Sequence, residues 1–172
     1  MEKGQCYERY PSWMIAVSLL FWASTYALGI YILSGFGIVA VGAYLAYCLF
    51  TELRVLNTSC RNCYYFGKAC CLGRGKFASL IFKKGTKGFS DRKVSWTDVL
   101  PDMLVAFIPV VAGAVLLILG FRWPVLGAMV GLVLLATAGT GFVRGSLACK
   151  HCKQRELGCP AMKLFEDRAS RR

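Results

Sequence analysis

Apolar residues dominate four stretches of the chain, and each approaches the roughly 20 residues that a helix needs to cross a bilayer core. The first runs from Trp13 to Leu33 without a charge. The second, Ile38 to Phe50, reaches full length if it continues to about Leu56 through Glu52 and Arg54. The third is Met103 to Phe121 and the fourth Val125 to Val143. The links inside each pair are very short: Ser34-Gly35-Phe36-Gly37 and Arg122-Trp123-Pro124. Links of that length force antiparallel neighbours, so the pattern predicts two helical hairpins. The first run is longer than the core of a signal peptide, and no small-residue cleavage site precedes the second span.

Charge sets the expected orientation. The chain of 172 residues carries 21 Lys and Arg against 9 Asp and Glu, and its apolar fraction is 56%. Its mean hydropathy is +0.51, high for a soluble domain. Long aliphatic runs exclude intrinsic disorder. Cationic charge placed between such runs argues against a nucleic-acid-binding domain. Of the cationic residues, Arg122 alone falls in the short link of the second hairpin; the N-terminal segment, the loop from Arg54 to Asp98 and the tail from Arg144 hold all the others. Positive charge stays on the cytoplasmic side, so both termini and the central loop are expected there.

Within the apolar runs themselves, Asp, Glu, Lys and His are missing from the deep positions, which argues against a proton relay through the bundle. His151, the only histidine, lies in the tail, so a bis-histidine haem inside the membrane is excluded. Gly127-x-x-x-Gly131 and Ala23-x-x-x-Ala27 are spaced for close helix contacts, although small residues are common in membrane helices anyway. Pro109 is expected to kink the third span, because it removes a backbone donor.

The nine cysteines are not scattered. Cys60-Arg-Asn-Cys63 is followed after six residues by Cys70, and Cys149-Lys-His-Cys152 after six residues by Cys159. Each C-x2-C-x6-C trio follows the second helix of a hairpin. The chain therefore divides at about residues 1–98 and 99–172 into two copies of one unit, as parallel membrane repeats do. Cys48, inside the second run, reads as a small apolar residue.

In a reducing compartment such cysteines are seldom structural disulfides. C-x2-C is the tight bite with which two thiolates grip one tetrahedral metal. A third thiolate reaches the same ion or cluster if the chain turns back, and Gly67 and Gly158 sit where such turns are needed. Cys60, Cys63, Cys70, Cys149, Cys152 and Cys159 are thus the expected metal ligands, for zinc or an iron–sulfur cluster. Either each trio makes its own site, completed by Cys6, Cys71, His151 or a substrate, or the two C-x2-C pairs meet in one four-thiolate site. Lys68, Arg74, Lys150 and Arg155 nearby are expected to lower the thiol pKa values.

Other signals are weaker. Gly73-Arg-Gly75-Lys76 lacks the spacing and the Ser/Thr of a phosphate loop and reads as a turn closing the first trio. Phe77, Leu80 and Ile81 among lysines suit either a short helix on anionic lipid head groups or one packed over the cysteines. Ser95-x-x-Asp98 is spaced as a capping box. Tyr64 and Tyr65 are placed either to shield the thiols or to sit at the interface. Four-helix membrane thiol oxidoreductases of the disulfide-forming, quinone-linked type resemble this chain in span count and in having C-x2-C, and in nothing further.

The expectation is an all-α membrane protein: two tandem hairpins with a cytoplasmic cysteine-rich cap. The cap would serve partner docking, sensing or electron transfer. The rival reading is a membrane thiol or iron–sulfur oxidoreductase using a lipid-soluble quinone.

Overall fold

The computed structural model describes residues 6–86, 89–91 and 96–160, and those residues are almost entirely helical. Four helical stretches are long and apolar enough to cross a membrane: Ser12–Phe36, Ile38–Asn62, Thr97–Leu119 and Trp123–His151. They contain α1 (Ser12–Leu33), α2 (Ile38–Thr58), α4 (Trp96–Leu119) and α5 (Trp123–Leu134), with α3 (Arg74–Ile81) between the hairpins. Large apolar side chains such as Leu20, Ile38, Val39, Leu49 and Ile118 point outward, as they do on a helix bathed in lipid. The architecture fits a multi-pass membrane protein.

Each hairpin link follows from its residues. Gly37 holds φ +94, a conformation that side-chain-bearing residues rarely adopt, and turns α1 into α2. Pro124 sits in the first turn of α5, where a missing N–H costs nothing. α1 is the central helix and packs on α2, α4 and α5. Ile32 and Leu132, both without exposed surface, meet Ala128 at the contact of α1 with α5.

Close approach occurs elsewhere than at the expected small-residue pairs. Ala23 and Ala27 are exposed, and a Cβ on Gly127 would meet nothing. The tight contacts are instead at Gly29 against the Tyr44 ring, Gly113 against Met129 and Gly139 against Phe21, where an added Cβ would collide. Cys48 is buried beside Leu33, Tyr44 and Val105, the small apolar role expected of it.

The fourth span departs from a plain α-helix. After α5 the chain forms π-helical turns at Leu135–Gly139, a short α6 (Thr140–Phe142), and π-helical turns again at Val143–Ala148. Such wide turns are rare and gather at functional sites. The span also continues past Val143, so Arg144 and Cys149 lie on its helical end. Likewise α2 carries Glu52 and Arg54 within its helical length. These charges are paired: Glu52 with Arg74, and Arg54 with Asp98 at 3.1 Å. Of the proposed capping box, Ser95 lies outside the described residues.

Candidate functional site: a cysteine-rich end of the bundle

The start of α1, the end of α2 and the end of the fourth span share one end of the bundle, and the N-terminal segment ties them together. The Tyr7 N–H donates to the His151 carbonyl at 3.1 Å, and the Tyr10 N–H to the Ala69 carbonyl at 3.1 Å. The Tyr10 hydroxyl donates to the Ala148 carbonyl at 2.6 Å. The Tyr65 hydroxyl donates to the Tyr7 carbonyl at 2.6 Å and accepts from the Lys153 N–H at 3.0 Å. The Gln154 side chain, itself buried, accepts from the Tyr64 N–H at 2.8 Å. The segment between the hairpins is thereby locked to the segment after the second.

The two C-x2-C turns have closely similar backbones. Cys60–Asn62 and Cys149–His151 are each one 3-10 turn, and the second cysteine of each is extended. The Cys63 N–H donates to the Cys60 carbonyl at 3.3 Å and the Cys152 N–H to the Cys149 carbonyl at 3.5 Å. The expected turn-back glycines have left-handed φ, +74 at Gly67 and +89 at Gly158.

Amide donors reach several sulfurs. Cys63 Sγ accepts from the Tyr65 backbone, and Cys152 Sγ from the backbones of Gln154 and Arg155. Cys70 Sγ accepts from the Gly75 N–H at 3.2 Å. Gly75 has no alternative here: a Cβ would strike the carbonyls of Tyr65 and Lys68. The Gly-rich stretch is therefore the turn that closes the first trio, and Gly73, at φ +71, starts α3. N–H donors aimed at sulfur favour thiolate over thiol.

The two trios meet. Cys63 lies within electrostatic range of Cys70 and Cys159, and Cys152 within range of Cys63 and Cys149. Cys60 lies beside Arg74, the residue that pairs with Glu52. Among the described residues no three His, Cys, Asp or Glu side chains are grouped as they would be around a metal ion.

Burial, not the basic neighbours, governs the thiols. Burial pushes Cys63 above the usual thiol range, and the nearby Cys70 and Cys159 add to it against the pull of the Tyr65 amide. Cys152 is pushed up to about 11, again by burial first, against the amides of Gln154 and Arg155. Cys71 is raised by burial and eased by Ser18, whose hydroxyl lies 3.5 Å from its sulfur. The expectation that surrounding Lys and Arg lower the thiols does not hold for Cys60 and Cys149, because withdrawal from water outweighs Arg74 at the first and Arg144 and Arg155 at the second.

The candidate fourth ligands are differently placed. Cys71 packs in the cluster of Tyr10, Met14, Tyr65 and Leu147. His151 stacks on Tyr7 at 5.0 Å, and Cys6 sits beside Glu156. Tyr65 is buried in the same cluster, whereas Lys68 and Lys153 approach the Tyr64 ring. α3 divides its faces: Gly75 and Ala78 are buried, and Phe77, Leu80 and Ile81 are exposed. Tyr7, Tyr10 and Gln154 were not legible as parts of this end. Isolated polar residues in short connecting segments carry no period that marks them.

Comparison with protein-family models, curated proteins and solved structures finds no match for this chain.

Proposed function

We propose that this protein is a multi-pass membrane protein whose six trio cysteines bind a soft metal, zinc or an iron–sulfur cluster, at the cytoplasmic face. The observation that supports this reading is that two C-x2-C turns with similar backbones, from two separate hairpins, lie within electrostatic range of each other at one end of the bundle, with amide N–H groups near Cys63, Cys70 and Cys152. The recurring C-x2-C-x6-C spacing after each hairpin supports reading the chain as two copies of one unit. A thiolate donor set suits a soft cation, and the metal would supply the folding energy that draws the six sulfurs into a shell. An iron–sulfur cluster bound there would supply one-electron chemistry. This chain's own part is to hold the sulfurs, donate amide hydrogen bonds to them and exclude water with Tyr10 and Tyr65.

The cytoplasmic orientation rests on the segregation of Lys and Arg described above. The exposed Phe77, Leu80 and Ile81, with Lys76, Lys83 and Lys84 around them, suit insertion at an anionic leaflet. The locked cap then offers a protein partner a rigid surface.

Anaerobic purification followed by absorption spectroscopy and metal analysis tests the reading. A brown protein with iron and sulfide supports a cluster, and a colourless protein with stoichiometric zinc supports a zinc site. A metal-free preparation with freely titrating thiols overturns both and leaves the membrane thiol oxidoreductase.

A further inference from the structure

Toward the same end of the bundle, a cavity of about 710 Å³ opens between α1, α4 and the fourth span, with the exposed Leu100, Met103 and Phe107 on its rim. That size is typical of a small-molecule site. Its walls are almost wholly apolar, and it runs along α4 from Val99 to Val110, about 17 Å at the α-helical rise. The fourth span faces it with Ala136 and Thr137, which belong to the first π-helical segment, and with Arg144, which belongs to the second. The rare wide turns and the cavity therefore coincide.

Two charges mark the cysteine-side end. Asp102 and Arg144 both line the cavity, and Arg144 lies within electrostatic range of the Asp102 carboxylate, as do Arg74 and Arg54, which are paired with Glu52 and Asp98. Opposite charges offset each other, so an ionic head group gains little at this mouth, whereas a neutral head finds a donor and an acceptor. Trp22 also lines the cavity, although its indole N–H has no surface exposed to it.

We infer that this cavity binds an uncharged amphiphile: a single apolar chain with a small carbonyl- or hydroxyl-bearing head that sits between Asp102 and Arg144. The chain enters toward Val110 and the head stays at the mouth. A quinone and a monoacylglycerol share this chemistry. The inference does not depend on the thiolate reading, since none of these residues is a trio cysteine.

The test is ligand-dependent stabilisation of the purified full-length protein, because a ligand that binds only the folded state raises the unfolding midpoint. The probes are decylubiquinone, monododecanoylglycerol and dodecanoate. At least one neutral probe should raise the midpoint, with apparent affinity about tenfold or more above that of dodecanoate, and the responder identifies the source. Ala136→Phe, which fills the cavity, should abolish the shift; Ala106→Leu serves if that variant does not fold. Asp102→Asn leaves Arg144 unopposed and should bring dodecanoate binding up toward that of the neutral probe. No shift with either neutral probe overturns the inference. So do an equal response to dodecanoate in the unaltered protein and an unchanged shift in the filled variant.

Discussion

The Tyr44 hydroxyl donates to the Val105 carbonyl at 2.9 Å, across from α2 to α4, and Val105 stands four residues before Pro109. That carbonyl is the one whose helical partner Pro109 lacks. In lipid an orphaned carbonyl has no water to turn to, so a neighbouring helix must supply the donor. Tyr44 reaches it because Gly29 on α1 leaves room for its ring. Sequence alone marks Pro109 as a break but not the residue that repairs it.

Tyr44→Phe should therefore destabilise the bundle by about 0.6–1.7 kcal/mol, the measured span of such bonds in membranes. Pro109→Ala restores the backbone donor, and Tyr44→Phe should cost less in that background. Thermal unfolding of the two single variants and the double variant forms the cycle. Strict additivity would show that the bond does not serve the orphaned carbonyl.

A second prediction concerns Glu52 and Arg74. They pair directly, the Tyr26 hydroxyl also donates to Glu52, and the Arg74 guanidinium lies over Trp22 at 5.0 Å. The Arg74 side chain is only 14% exposed. Glu52→Gln leaves that cation poorly compensated, at a cost on the order of 3 kcal/mol. Glu52→Gln combined with Arg74→Met should regain much of the loss. Equal unfolding midpoints for the single variant and the unaltered protein would show that the pair contributes nothing.

Tyr65 tests the lock at the cysteine end. Tyr65→Phe removes its bonds to Tyr7 and Lys153 together, two part-buried bonds worth about 0.5–1.5 kcal/mol each. The N-terminal segment should then detach more often, and Cys71 and Cys152 should react faster with a maleimide under native conditions. Unchanged alkylation rates would mean that these bonds do not hold the cap closed.

Orientation has its own check. A reporter active only in the cytoplasm should work when fused after Arg172 and fail when inserted at Gly35, because the cationic residues lie on the side of the termini. The reverse pattern would move the cysteines to the opposite compartment.

The spans were legible because apolar length is decided locally, residue by residue. The turns at Gly67, Gly73 and Gly158 were legible for the same reason: left-handed backbone calls for glycine. The π-helical turns were not, since Leu135 to Val143 reads as the end of an ordinary apolar span and Arg144 to Ala148 as tail, and nothing in the apolar period marks a wider turn. The pairing of Glu52 with Arg74 was hidden too, because the two stand 22 positions apart and the chain between them folds through the first trio. Cysteine spacing identified the trios, but their encounter depends on Tyr7, Tyr10 and Gln154, whose partners lie far along the chain.

Metal content in two paired variants tests the central claim, that both trios serve one site. Cys60→Ser with Cys63→Ser removes one pair, and Cys149→Ser with Cys152→Ser removes the other. Residues that act as a unit do not lose their effects additively. Metal per protein, measured after anaerobic purification, should fall nearly to zero in each paired variant, with no further loss when the two are combined. Loss of half the metal in each, adding to complete loss in the combination, would contradict the shared site.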